Sequence, residues 1–326
     1  MRLGHLGFVA CLILSCLLLA ACGQWSTPTT GPAEVSPSPE PPVTSAPPAV
    51  SPSPLPPSPS PTAPSSTPTP TRVRPTATVT TPPQQAVLTP FPKGSCRLGT
   101  GLRDETGSLL EKYKASPGLV MAATVENAQA YFPQLEGWIR VIGAPSLNAL
   151  AQKAARAQES GLAYEALAYG LETGKSTPDE EWQDLIGSTV KARALADQYG
   201  KLLVMGPGFK LMSANEDKYA GMSALADIWV FQTQQLQKNP PGETYREGVE
   251  RVVGLIRGGN PDIPIWTQIT LPPDREPNAK EWLAYRGQIQ DLVTGTYVGA
   301  YTWRTVDSQT LVSTIDAIFA GACGNE

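Results

Sequence analysis

The chain has 326 residues, 34 prolines, a net charge of −4 and one histidine, His5. No basic cluster indicates a nucleic-acid partner, and the chain beyond His5 lacks the imidazole that Ser-His-Asp catalysis and the usual zinc sites require. Carboxylate, lysine or tyrosine chemistry remains, as does binding without reaction.

We expect residues 1–21 to be a signal peptide, because they form an apolar segment with Arg2 at its start that is too short for a comfortable membrane span. The segment runs into "LAAC", Leu19 to Cys22, which resembles the lipobox of bacterial lipoproteins. The resemblance implies cleavage before Cys22, lipidation of that cysteine, and a protein anchored to a membrane at the bacterial cell surface or elsewhere outside the cytoplasm. An ordinary secretory signal with a chance cysteine is the alternative.

The next segment is rich in proline, since 22 of the 34 prolines lie between Ser26 and Pro92. Such a sequence has few apolar side chains to bury and few backbone donors, so it stays extended. We therefore expect residues 22–92 to be a lipidated cysteine followed by a disordered stalk, and residues 93–326 to be one folded domain. A proline-rich peptide ligand is the competing interpretation of the stalk.

Two cysteines remain in the predicted domain, because Cys11 and Cys16 fall in the signal segment and Cys22 would carry lipid. They are Cys96 and Cys323, one near each end of the domain. Thiols outside the cytoplasm usually pair, so we expect a disulfide between them.

Short apolar runs alternate with amphipathic segments along the domain. The predicted strands are 118–126, 137–143, 162–170, 201–206, 227–234, 263–270 and 296–304. One predicted helix begins after Ser146 and stops at Gly161; the next takes Thr177 as its N-cap, with Pro178 in the first turn and Glu180 completing a capping box.

Seven strand–helix units predict an α/β fold, a (β/α)₈ TIM-like barrel with one weak strand missed or one unit degenerate. A doubly wound open sheet is the alternative, but a bond between Cys96 and Cys323 favours a closed barrel. The stretch "TVENAQAYF" after the first predicted strand lacks a glycine-rich phosphate loop, so no nucleotide is expected. No other cofactor and no metal is predicted.

Function in such a barrel resides where the strands end. The side chains that we assign to those ends are acids, one guanidinium, amides and aromatics, a set suited to sugar binding. They are Glu126, Arg140, Glu165, Tyr169, Gln232 (with Gln234), Gln268, Tyr301 and Trp303.

With Glu165 near a third strand end, Gln232 and Gln268 on later strands and "YTWR" closing the last strand, the domain resembles TIM-barrel glycoside hydrolases and glycosidase-like lipoproteins of bacterial surfaces. The resemblance implies a polysaccharide or cell-wall glycan as the partner, with Glu165 and Glu126 as acid/base and nucleophile. The "NE" pair that many retaining families carry at the fourth strand end is missing, which leaves enzyme activity open.

Each candidate also has a structural interpretation. Glu165 would form an ion pair with Arg140 on the neighbouring strand, and Glu126 would stabilise a helix N-terminus. Gln232 and Gln268 would satisfy each other or the backbone, while Tyr301 and Trp303 would belong to the core.

Three functions therefore compete: a surface-anchored glycosidase-like protein, a non-catalytic carbohydrate or cell-wall-fragment binder, and a structural envelope protein. Carboxyl groups of Glu126 and Glu165 about 5–5.5 Å apart would suit a retaining enzyme, and about 6.5–9.5 Å an inverting one, whereas a wider separation would exclude catalysis. An acid that faces the outer helices would exclude it.

Overall fold

Eight parallel strands pair in chain order and close on themselves in the computed structural model, which describes residues 96–323 except 173, 175, 239, 272–275 and 301–306. Strand β1 pairs with both β2 and β8, so that Gly99 lies opposite Leu119 on one side and Tyr297 on the other. The predicted (β/α)₈ TIM barrel is confirmed. The signal segment, Cys22 and the proline-rich segment lie outside the described residues.

The strands are short and mostly buried. They are β1 Leu98–Leu102, β2 Leu119–Ala122, β3 Ile139–Ala144, β4 Ala166–Tyr169, β5 Leu202–Met205, β6 Ile228–Gln232, β7 Ile265–Leu271 and β8 Gly295–Ala300. Helices follow the strands and cover the barrel. They are α1 Asp104–Lys112, α2 Val125–Tyr131, α3 Leu147–Glu159, α4 Asp179–Gln183, α5 Leu185–Gln198, α6 Phe209–Ser213, α7 Tyr219–Ser223, α8 Tyr245–Arg257, α9 Ala279–Ile289 and α10 Ser308–Cys323.

The strand that the sequence pattern misses is β1, "LGTGL". Its two glycines and its threonine interrupt the apolar run that identifies a buried strand. Gly99 is required by packing, because a Cβ there would lie 2.8 Å from the Leu119 carbonyl oxygen and 2.8 Å from the Tyr297 ring. Gly99 therefore allows β1 to pack closely against its neighbours, and the same glycine makes β1 hard to recognise in the sequence.

Helix α3 begins and ends as predicted. The Ser146 hydroxyl accepts a hydrogen bond from the Ala149 amide, and Gly161 has a φ of +67°, a conformation that favours glycine. For the following helix the predicted N-cap and the predicted single length are both wrong. The Thr177 hydroxyl donates to the Pro145 carbonyl, and the segment divides into α4 and α5 because Asp184 caps a new helix at the Gly187 amide.

The core has two layers, set by the alternation of side chains along each strand. Inward-facing residues fill the barrel itself: Leu119, Ile139, Val141, Ala166, Ala168, Leu202, Val204, Ile228, Val230, Trp266 and Tyr297. The larger layer lies between the sheet and the helices. This alternation decides which side chains at the strand ends reach the centre of the barrel.

Cys96 and Cys323 form a disulfide, with their Cα atoms 4.9 Å apart, and they are the pair expected from the sequence. Cys96 precedes β1 and Cys323 ends α10, so the bond lies at the N-terminal face, where the strands begin. Within the described ranges no helix has the length and apolarity needed to cross a membrane.

Candidate functional site at the barrel mouth

A cavity of about 840 Å³ opens at the C-terminal face, where the strands end. We call it the barrel mouth. It is lined by Gly101, Leu102, Arg103, Met121, Ala123, Gly143, Ala144, Pro145, Lys153, Ala168, Gly170, Glu172, Gly206, Val230, Gln232, Gln268, Tyr297, Val298 and Gly299. All eight strands or the residues directly after them contribute, so the mouth is centred on the barrel axis.

The mouth is hollow because small residues occupy inward positions near the strand ends. Gly101, Gly143, Ala168 and Gly206 come from or directly follow four different strands. Bulky branched side chains usually fill these layers of a barrel. A Cβ at Gly206 would meet no atom closer than 3.8 Å, so the space there exceeds what backbone packing requires.

A carboxylate and an amide lie together on the wall of the mouth. Gln232, the last residue of β6, donates from Nε2 to Glu172 Oε1 over 3.3 Å. Gln232 Oε1 accepts from Gln234 Nε2 at 3.0 Å and from the Phe209 amide at 3.4 Å. The bonds on both sides fix the orientation of the Gln232 amide. Glu172 is exposed toward solvent, while Gln232 is buried.

Gln268 extends the polar wall onto β7. It stands opposite Gln232 in the register of β6 and β7, and it packs against Gly299 of β8, where a Cβ would lie 2.7 Å from its side chain. Both glutamines line the mouth, as the sequence predicts. Gln232 bonds to Glu172, to Gln234 and to the Phe209 main-chain amide. The interpretation that the glutamines satisfy the backbone therefore describes one of its contacts, and none of these three bonds goes to Gln268.

On the other side of the mouth, Lys153 reaches back from α3. Its Nζ donates to the Ala123 and Gly143 carbonyl oxygens, each at 2.7 Å. The Lys153 side chain is half-buried, and this partial loss of solvent lowers its pKa. In strand order, Arg103 and Lys153 belong to the β1–β3 side, whereas Glu172, Gln232 and Gln268 belong to the β4–β7 side. The mouth therefore has basic side chains on one side and a carboxylate and amides on the other.

Glu165 is not in the mouth, and its predicted place there is wrong. It precedes β4, and Arg140 is the second residue of β3, so both lie at the N-terminal face. Glu165 accepts from Arg140 Nη2 at 2.6 Å, from Nε at 3.0 Å and from the main-chain amide at 2.8 Å. The hydrogen bond with Glu165 raises the pKa of the Arg140 guanidinium. The structural interpretation of this pair is the correct one.

Glu126 also lies away from the mouth lining. It is in the first turn of α2 and forms an ion pair with Arg156 of α3, in which both side chains are about 60 % exposed. The local backbone and Arg156 lower the pKa of Glu126. Since Glu126 follows β2 and Glu165 precedes β4, the two carboxylates belong to opposite ends of the barrel. They cannot act together on one glycosidic bond, so the predicted glycosidase function is wrong.

Tyr169 ends β4, but its side chain belongs to the layer between sheet and helices. Its hydroxyl donates to Glu181 Oε2 over 2.7 Å, and Glu181 accepts from the Leu147 amide at the start of α3. Burial and the neighbouring carboxylate raise the pKa of Tyr169. Its assignment to substrate binding was wrong because alternation along β4 turns it outward, whereas the preceding Ala168 faces the barrel interior.

Tyr301 and Trp303 lie outside the described residues. Among the charged and aromatic residues that line the mouth, sequence reasoning missed Arg103, Lys153, Glu172 and Tyr297. Glu172 could have been found, because it lies two residues beyond Gly170, the last residue of a predicted strand, where a barrel places its functional groups. Lys153 carries no such signal, since it is one of several polar residues on an amphipathic helix.

No protein-family model and no curated protein matches the chain. Solved structures resemble it in fold. An archaeal fructose-1,6-bisphosphate aldolase has a TM-score of 0.43 and 10 % identity, covering 71 % of this chain and 96 % of its own. A putative phosphonomutase from Burkholderia cenocepacia J2315 has a TM-score of 0.42 and 9 % identity, covering 68 % and 92 %.

A putative deoxyribose-phosphate aldolase from Toxoplasma gondii ME49 has a TM-score of 0.37 and 12 % identity, covering 70 % of this chain and 93 % of its own. The names of these proteins describe aldolases and a mutase, neither glycosidases nor carbohydrate-binding proteins. At these identities the likeness concerns the fold alone, and the chain is a (β/α)₈ barrel whose mouth is its candidate functional site.

Proposed function

We propose that the barrel mouth binds a small polar organic molecule, held by Glu172, Gln232 and Gln268 on one side and by Lys153 on the other. The observation that carries this proposal is the convergence of those four side chains on one cavity of about 840 Å³. Small-molecule sites commonly measure about 300–1,000 Å³ and combine mostly apolar walls with a few fixed polar groups.

The hydrogen-bond network indicates which groups the ligand presents. Glu172 accepts hydrogen bonds, and as an exposed carboxylate it suits a hydroxyl, amide or ammonium donor. Gln232 is already oriented by its bonds to Glu172 and to the Phe209 amide, so little rotamer freedom is lost when a ligand binds beside it. Lys153 would face an electronegative atom at the other end of the ligand.

A thermal-shift screen of the full chain against a library of small polar metabolites tests the proposal. A hit is then titrated against Gly206→Leu, which fills the mouth where a Cβ meets nothing closer than 3.8 Å. Gly254→Leu is the matched control, because it makes the same change on the exposed surface of α8, where an added Cβ would meet no described atom within 4 Å apart from its chain neighbours and the backbone of its own helix.

The proposal predicts that Gly206→Leu abolishes the ligand-induced rise in Tm and that Gly254→Leu retains it. Equal ligand responses in the two variants would show that the ligand binds elsewhere and would overturn the proposal.

We also propose that the domain is displayed outside the cytoplasm on a lipid anchor at Cys22. The "LAAC" sequence and the disulfide between Cys96 and Cys323 support this placement, since structural disulfides persist in oxidising compartments. Metabolic labelling with an alkyne fatty acid should mark the wild-type chain and not Cys22→Ala. Label retained in Cys22→Ala would contradict the anchor.

A further inference from the structure

The nitrogen of Lys153 is held by two acceptors of one kind. Both are main-chain carbonyl oxygens, Ala123 after β2 and Gly143 in β3, at 2.7 Å each. A neutral amine has two N–H donors and one lone pair. If both donors point at these carbonyls, the lone pair is directed away from them, and Lys153 is among the side chains that line the mouth.

Burial and the lack of an anionic partner among the described residues both bear on the charge of the Lys153 amine. No ion pair in the described chain joins it to a carboxylate, and burial alone lowers its pKa. A lysine desolvated in this way keeps a larger fraction of neutral, nucleophilic amine.

We propose that the Lys153 amine captures a small aldehyde or ketone in the mouth as an imine. This inference rests on the proposed function, and it specifies the ligand as a carbonyl compound with further polar groups for Glu172, Gln232 and Gln268. The geometry that carries it is a lysine nitrogen whose hydrogen-bond donors are held by backbone oxygens at the edge of a ligand-sized cavity.

The step balances without an oxidant or a reductant. The nitrogen lone pair forms a bond to the carbonyl carbon, and the electron pair of the C=O π bond moves to oxygen. Both amine protons end on that oxygen, through water at the open mouth, and the C–O bond breaks to release one water. The products are a C=N bond to Lys153 and that water molecule.

Lys201 provides a control within the same chain. Burial also lowers its pKa, and its Nζ donates to the Tyr164 carbonyl at 2.6 Å and lies 4.2 Å from the centre of the Tyr164 ring. It precedes β5 and therefore lies at the N-terminal face, away from the mouth. A reaction that depends only on a desolvated amine would label both lysines, whereas one that depends on the mouth would label Lys153.

The test is borohydride trapping of the full chain with pyruvate and, separately, with glycolaldehyde, followed by peptide mass spectrometry. We expect at least ten times more reduced adduct on Lys153 than on Lys201 with one of the two probes. Lys153→Arg, which keeps donors for the carbonyls but has no comparable nucleophile, should lose the adduct. Gly206→Leu should lower adduct formation at Lys153, and Gly254→Leu should not.

Equal labelling of Lys153 and Lys201, or no adduct on Lys153 with either probe, would overturn the inference. A mouth ligand that still raises the Tm in a Gly206-dependent manner would in that case leave the proposed function standing. Loss of that Gly206 dependence would remove the proposed function itself.

Discussion

The two ends of the barrel use carboxylates in opposite ways. At the N-terminal face Glu165 accepts three hydrogen bonds from Arg140, so the negative charge of its carboxylate is balanced by a partner within the protein. At the C-terminal face Glu172 accepts one hydrogen bond from the Gln232 side-chain amide and is exposed in a cavity. A carboxylate whose acceptors are filled by a neighbouring guanidinium stabilises the fold, whereas one held by a neutral amide retains acceptors for a ligand.

The largest expected effect concerns the N-terminal face and its disulfide. Replacing Cys96 and Cys323 together by serine should lower the free energy of unfolding by about 2–5 kcal/mol, because the bond closes a loop of 227 residues in the unfolded chain. Urea unfolding of the double variant beside wild type measures this difference. A loss below about 1 kcal/mol would mean that the barrel closes without help from the bond.

The second-largest effect is expected for Glu165→Gln, which tests whether Glu165 and Glu172 have different roles. Glu165→Gln leaves the Arg140 guanidinium without its anionic partner and should cost about 1–3 kcal/mol of stability, since the pair is only partly buried. Ligand binding in the mouth should be unchanged. Unfolding curves combined with a ligand titration check both parts. Unchanged stability would show that this ion pair contributes nothing at the N-terminal face.

Glu172→Gln should have the reverse effect. The amide keeps an oxygen for Gln232 but loses the charge, so the free energy of unfolding should stay within about 0.5 kcal/mol of wild type. Affinity for a mouth ligand should fall about tenfold, which corresponds to about 1.4 kcal/mol. Isothermal titration calorimetry measures the change, with Glu165→Gln as the control. Wild-type affinity in Glu172→Gln would exclude this carboxylate from recognition.

The smallest effect is expected for Glu126→Gln. Its ion pair with Arg156 is exposed on the helical layer, where such pairs contribute little. Neither the Tm nor ligand affinity should change measurably in a thermal-shift assay run beside Glu172→Gln. A clear loss of ligand affinity would restore Glu126 as a functional acid.

The sequence predicts the fold better than it predicts the site, for a physical reason. Strands buried on both faces give continuous apolar runs, so β2 to β8 are recognisable, whereas the glycines of β1 hide it. The same continuous runs conceal where a strand begins and ends. Glu165 was placed at a strand end although it lies before β4, because "LAYEALAYG" does not show that pairing starts at Ala166.

The direction in which a side chain points is the second feature of the site that the sequence does not reveal. Tyr169 and Ala168 are neighbours, yet alternation sends the first between sheet and helices and the second into the barrel. Gln232 and Gln268 were found because amides at the ends of apolar strands stand out in sequence. Lys153 reaches the mouth from a helix, through contacts with Ala123 and Gly143 that only the folded structure brings together.

The location of a bound ligand tests the central claim most directly. A crystal structure of the protein with a compound from the thermal-shift screen should show that compound in the barrel mouth, with a polar atom within hydrogen-bonding distance of Glu172, Gln232 or Gln268. A compound bound at the N-terminal face beside Glu165 and Arg140, with the mouth filled only by water, would contradict the division of roles between the two ends.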